Sequence, residues 1–125
     1  VSDIYQENIL DHYKNPRNYG RLDEATASSH VANPLCGDSM DLFLKISDGR
    51  VEDARFEAEG CAISKASASM LTERIKGREL GVARAENKDT VLASLGIPVS
   101  PVRMKCALLV LDALKVGLLE AVTRA

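Results

Sequence analysis

Met40-Asp41-Leu42-Phe43-Leu44-Lys45-Ile46-Ser47-Asp48-Gly49-Arg50-Val51-Glu52-Asp53-Ala54-Arg55-Phe56-Glu57-Ala58-Glu59 decides the fold. Met40, Leu42, Leu44 and Ile46 alternate with Asp41, Phe43 and Lys45, the period-two pattern of a strand with one buried face. Asp48-Gly49 follows, a two-residue turn signal, because both turn positions want positive φ. Ala54, Phe56 and Ala58 then alternate along a return strand from about residue 50 to 59. The middle of the chain therefore reads as antiparallel sheet.

Helices flank it. Ser2 is a candidate N-cap, with Ile4, Tyr5, Ile9, Leu10 and Tyr13 at helical spacing until Asn15-Pro16 ends the run. A polar connection from residue 17 leads to a short strand around 27–32. After Gly60-Cys61, Ser64 is the expected cap of a helix over 65–76, closed by Gly77 with Arg74 and Lys76 in its last turn. The polar stretch 78–89 precedes a short helix around 90–95. Ser100 and Pro101 open a final helix to about Val122, with Leu108, Leu111, Leu114 and Leu118 along its apolar stripe. This order predicts an α+β fold with helices covering one sheet face.

The chain has 125 residues, enough for one domain over 1–125 and too few for two. Its net charge of −2 leaves no basic excess for neutralising phosphates, so nucleic acid is not an expected partner. No segment approaches the ~20 apolar residues of a membrane span. Val1-Ser2-Asp3-Ile4-Tyr5 lacks the basic and apolar regions of a signal peptide, and the expected location is the cytoplasm. Three cysteines make an odd number, and metal binding or thiol chemistry is a better use for them than a disulfide set.

Each cysteine has its own setting. Cys36 stands in Asn33-Pro34-Leu35-Cys36-Gly37-Asp38, where Gly37 lets another group approach the backbone and Asp38 offers a carboxylate oxygen. Cys61 precedes a helix N-terminus, whose dipole and free amides favour a thiolate; the run Ala66-Ser67-Ala68-Ser69 keeps that helix slim. Cys106 lies in the last helix with Arg103 and Lys105 beside it, cations that stabilise a thiolate or persulfide. Each also has a bland alternative: an ordinary turn, a core cysteine under the sheet, a helical cysteine in the apolar stripe. Together, Cys36, Asp38, Cys61 and Cys106 supply four anionic ligands suited to an iron–sulfur cluster or a zinc ion, although their wide spacing is unlike a zinc ribbon. His12 reads as a helix surface residue, His30 as a strand residue, and Arg17 and Arg21 as loop charges. Ser64, Ser67 and Ser69 show no nucleophile-elbow pattern.

Four segments then carry a resemblance: Asp11-His12-Tyr13-Lys14-Asn15-Pro16-Arg17-Asn18, the Cys36 motif, Gly60-Cys61-Ala62-Ile63-Ser64-Lys65-Ala66-Ser67-Ala68-Ser69, and Pro101-Val102-Arg103-Met104-Lys105-Cys106-Ala107. Over nearly its whole length the chain resembles the iron–sulfur assembly proteins of the IscU, NifU N-terminal and SufU family. The resemblance implies an IscU-like sandwich, a three-stranded antiparallel sheet with helices on one face and the ligands gathered at one end. It implies Cys36, Cys61 and Cys106 as sulfur ligands and Asp38 as a labile oxygen ligand. The implied cargo is a transient [2Fe–2S] or [4Fe–4S] cluster, with a cysteine desulfurase as sulfur donor and apoproteins as acceptors. Cys36 or Cys106 is the candidate persulfide acceptor, and a homo-oligomer around a shared cluster is compatible with the family. Lys105 replaces the histidine that IscU-type members carry before the last cysteine. That lysine and the Ala62–Ser69 run resemble SufU, in which Zn2+ on three Cys and one Asp supports sulfur acceptance. The insertion usual in SufU between the second and third cysteines is absent. Three functions follow: a cluster scaffold, a zinc-dependent sulfur relay, and a structural zinc module.

Overall fold

The computed structural model describes the backbone of residues 2–34 and 37–124, and the side chains of 7–34 and 37–121. Helix α1 spans Ser2–Lys14, and strands β1 (Ala27–Asn33), β2 (Asp38–Ser47) and β3 (Arg50–Glu59) follow. Then come α2 (Ala62–Ile75), α3 (Leu80–Arg84), α4 (Lys88–Leu95) and α5 (Pro101–Arg124). The strands form one antiparallel sheet in the order β1-β2-β3.

The hairpin between β2 and β3 turns as its sequence predicts, with positive φ of 53° at Asp48 and 74° at Gly49. Its register sets Met40 opposite Ala58, Leu42 opposite Phe56 and Leu44 opposite Ala54, all buried. The alternation slips once, at a register shift between Lys45 and Ile46. Phe43 stands on the other face as expected, yet it too is buried, with the Arg21 guanidinium 5.3 Å from its ring centre. That contact gives the loop cation Arg21 a packing role.

Helices α2 and α5 cover the inner face. Leu71 and Ile75 from α2 and Val110, Leu111 and Leu114 from α5 join the sheet residues in the main core. The Ser29 hydroxyl donates to the Ala113 carbonyl at 2.7 Å and pins α5 to β1. A second cluster, Ile9, Ile63, Ala66, Met70, Leu95, Cys106 and Ala107, joins α1, α2, α4 and α5.

Four local expectations change. The stretch 78–89 contains a helix, Leu80–Arg84, whose Ala83 is buried; it is too short to show periodicity in sequence. The N-cap of α2 is Cys61 rather than Ser64. His12 is not a surface residue: it is buried, with Nδ1 2.7 Å from the Ser69 hydroxyl on α2. Leu10 and Tyr13, expected in the apolar stripe of α1, are instead partly exposed.

Ser100 caps α5 as expected, accepting the Arg103 amide at 3.4 Å. His30 is an exposed strand residue 2.7 Å from an Asp41 carboxylate oxygen. Arg17 pairs with Asp11 at 2.6 Å.

Candidate metal centre

Three elements deliver one donor each to the same end of the sheet. Asp38 opens β2, Cys61 caps α2, and Cys106 lies in the second turn of α5. A carboxylate oxygen of Asp38 and the two sulfurs all lie within 4.8 Å of one another. Neither Cys61 nor Cys106 is in a disulfide. Asp38 and Cys106 are buried, and Cys61 is partly exposed. Leu35 and Cys36 lie outside the described residues. The described backbone on either side is Asn33-Pro34, at the end of β1, and Gly37-Asp38, at the start of β2.

Asp38 performs the task that the sequence assigned to Ser64. Its Oδ1 accepts the Cys61 amide at 3.0 Å and its Oδ2 accepts the Ser64 hydroxyl at 2.7 Å. A side chain from a strand thus satisfies the exposed start of a helix more than twenty residues on in sequence. Gly60 makes this close approach possible. A Cβ there would fall 1.9 Å from Asp38 Oδ1, and the backbone sits at φ +127°, a conformation that L side chains rarely adopt. The role of Gly60 is not legible in sequence, because its reason is a carboxylate from another element.

The carboxylate is held in its charged form. Burial works to raise its pKa, but hydrogen bonds from the Cys106 side chain, the Ser64 hydroxyl and Cys61 together hold it below the ordinary aspartate value. Among the described residues, no lysine, arginine or histidine ion-pairs with it. A buried anion beside two thiols, with no side-chain cation to offset it, is a donor set that fits a metal ion. Sulfur from Cys61 and Cys106 and oxygen from Asp38 suit Zn2+ or the irons of an iron–sulfur cluster.

Lys105 and Arg103 are exposed. Lys105 lines a groove of about 320 Å³ with Asn33, Pro34, Met104, Leu108 and Asp112, so it borders the end of β1. On the opposite flank, the Lys65 ammonium lies 5.6 Å from the ring centres of both Tyr13 and Tyr19. Ser64, which sequence treats as a helix cap alone, proves to touch every described donor residue. Its hydroxyl oxygen is 3.2 Å from the Cys106 carbonyl oxygen and 3.6 Å from the Cys61 sulfur.

The fold and donor set define a class, and comparison with known proteins agrees. The sequence profile described as NifU-like N terminal domain matches residues 4–124, and the chain belongs to that family. It is similar to the iron–sulfur cluster assembly scaffold protein IscU of Escherichia coli, at 41% identity over 120 residues, covering 93% of this chain and 92% of the relative. It is 40% identical over 131 aligned positions to the zinc-dependent sulfurtransferase SufU of Bacillus subtilis, covering 91% and 88% of the two chains. Its fold matches the crystal structure of the N-terminal part of a nitrogen-fixing NifU-like protein from Brucella abortus. That match has a TM-score of 0.80 at 26% identity, over 99% of this chain and 98% of the other.

Proposed function

We propose that this protein is a scaffold for iron–sulfur cluster assembly. It receives sulfur from a cysteine desulfurase, builds a cluster with iron on Cys36, Asp38, Cys61 and Cys106, and passes it to apoproteins. The observation that carries the reading is Asp38, a charged and buried carboxylate set beside the Cys61 and Cys106 thiols, with no cationic side chain paired with it among the described residues. An oxygen ligand holds iron less firmly than thiolate, so one corner of the site is exchangeable, as a cargo site requires.

Sulfur enters as persulfide: a cysteine thiolate attacks the outer sulfur of the donor persulfide and releases the donor cysteine as thiolate. Cys106 is 4% exposed and packed among Ile63, Ala66 and Ala107. Its burial favours Cys36 as the acceptor. Lys105, which shares a groove with Asn33 and Pro34, supplies a cation for the persulfide anion. A cytoplasmic location and a single domain over residues 1–125 belong to the same proposal. No helix among the described residues is long and apolar enough to cross a membrane.

The second reading is a zinc-dependent sulfur relay. It is favoured by Lys105 and by the Ala62–Ser69 run, and by the similarity to SufU. The alignment with SufU needs 131 positions, more than the 125 residues of this chain, so the relative contains residues that this chain lacks. The alignment with IscU needs 120. The scaffold reading is the stronger on that ground.

The test is the lifetime of a bound cluster. Under anaerobic conditions Asp38→Ala should lengthen it, because the weak corner is removed, whereas Cys36→Ser, Cys61→Ser or Cys106→Ser should each abolish stable assembly. Equal or faster cluster loss from Asp38→Ala contradicts the labile-corner account. Wild-type cluster yield from any cysteine variant removes that residue from the site.

A further inference from the structure

We infer that Ser64 is a positioning residue that competes with the metal for Asp38 and so sets how readily the oxygen corner opens. The inference rests on the proposed role of Asp38 as a metal ligand and extends it to a residue outside the donor set.

The Ser64 hydroxyl has one proton and two oxygen acceptors within reach: Asp38 Oδ2 at 2.7 Å and the Cys106 carbonyl at 3.2 Å. The residue is 1% exposed, so water is not its alternative partner. The other carboxylate oxygen, Oδ1, is committed to the Cys61 amide at 3.0 Å against the bare backbone of Gly60. The backbone amide cannot turn away from Oδ1, whereas the Ser64 hydroxyl can turn away from Oδ2, so Oδ2 is the oxygen more readily cleared for a metal.

The exchange requires almost no movement. Rotation about the Ser64 Cβ–Oγ bond carries the proton from Oδ2 to the Cys106 carbonyl, with every heavy atom in place. That carbonyl has a second lone pair available beside its helical hydrogen bond. With the proton turned away, Oδ2 is free for a metal. When the carboxylate lets go, it regains a short hydrogen bond to a charged acceptor, a stronger class than the longer neutral bond to the carbonyl. Ser64 thus stabilises the state in which Asp38 is detached and lowers the barrier to release. Without it, a detached Oδ2 loses the hydroxyl that would receive it, and the carboxylate is held longer on the metal.

The test uses Co2+ as the probe in the full chain. Metal is loaded anaerobically, excess chelator is added, and decay of the sulfur-to-cobalt absorption is followed in wild type, Ser64→Ala, Asp38→Ala and the double variant. Ser64→Ala should release Co2+ about tenfold more slowly, the scale of one hydrogen bond to a charged group. The effect should vanish in the Asp38→Ala background. Ser64→Thr, which keeps the hydroxyl, should release like wild type. Unchanged or faster release from Ser64→Ala overturns the inference, as does an effect that persists without Asp38 or slowing by Ser64→Thr equal to that by Ser64→Ala. The Co2+ measurement needs no iron–sulfur chemistry. Failure of the wild type to hold a cluster would therefore count against the scaffold reading alone, and the Co2+ rates against Ser64 alone.

Discussion

At the scale of single residues, the site is built by small groups in exact complement. Asp38 reaches the start of α2 only because Gly60 has no Cβ, and Ser64 then occupies its second oxygen. Gly60→Ala should therefore cost stability and metal together. The positive-φ backbone alone costs about 1–3 kcal/mol, and the clash with Asp38 Oδ1 displaces the carboxylate. Urea denaturation and Co2+ titration of the variant measure the two effects; wild-type metal affinity would show that Asp38 does not need that approach. Asp38, Cys61 and Cys106 stood out as candidates in sequence because each lies beside a turn or helix-start signal, and the fold brings those three together. The part played by Ser64 was not legible. Serine near a helix start reads as a cap, and nothing local shows that a carboxylate 26 residues away has taken over the capping.

At the scale of elements, polar contacts add to the apolar cluster around Ile9 in attaching the N-terminal segment to α2. His12 Nδ1 meets the Ser69 hydroxyl at 2.7 Å, and the same hydroxyl accepts the Arg17 amide at 2.9 Å. Burial first, then Arg17, depresses the His12 pKa, against the opposing pull of Glu73 and Asp11. With its proton on Nε2, which faces Glu73 at 3.7 Å, the neutral ring accepts from the Ser69 hydroxyl; a protonated ring cannot. A histidine whose folded pKa lies below its unfolded one leaves the unfolded chain binding more protons as pH falls. Its contribution is complete above the ordinary value of about 6.5 and declines as pH falls from there toward the folded value. Urea midpoints of the metal-free protein at pH 7.5 and 5.5 should show this loss. His12→Ala should cost about 1–3 kcal/mol at the higher pH and flatten the difference between the two. An unchanged pH difference in the variant would place the effect on other groups. This attachment escaped the sequence reading because Leu10 and Tyr13 look like the buried face, whereas the partner that buries His12 is 57 residues distant.

A second junction, α2 to α4, uses a two-pronged pair. Arg74 donates to both Glu86 oxygens at 3.0 and 2.7 Å, and Thr90 adds a bond at 2.8 Å. Burial opposes ionisation of Glu86, but Arg74 and Thr90 hold its pKa below the ordinary glutamate value. Glu86→Gln should destabilise the protein by about 1–3 kcal/mol at neutral pH, with one charge-assisted bond lost and Arg74 left part-buried. The difference from wild type should shrink as pH falls through the folded glutamate pKa, because the wild-type carboxylate then also becomes neutral. A penalty that stayed constant into acid would contradict this account of the pair. Helix α3, beside this junction, was invisible in sequence: Leu80-Gly81-Val82-Ala83-Arg84 contains too few turns for a period and includes a glycine.

At the scale of the whole molecule, the sheet is the part that sequence determined most directly. Alternation across 40–46 and 54–58, with Asp48-Gly49 between, leaves one register for the hairpin, and Phe56 becomes the largest fully buried side chain. Phe56→Ala should cost about 3–5 kcal/mol, measurable by denaturation; a much smaller loss would mean that the core collapses onto the space. The convergence of ligands at one end was not readable from spacing, since it depends on where β2, α2 and α5 begin in space. It came from the resemblance, and the arrangement of Asp38, Cys61 and Cys106 matches that expectation. The most direct test of the central claim is cluster transfer. The protein is loaded anaerobically with iron and a cysteine desulfurase, repurified from free iron and sulfide, and mixed with an apo-ferredoxin. The account predicts retained iron and acid-labile sulfide, followed by rapid activation of the ferredoxin. No retained cluster, with Zn2+ still bound and desulfurase turnover raised, would contradict it and identify a sulfur relay.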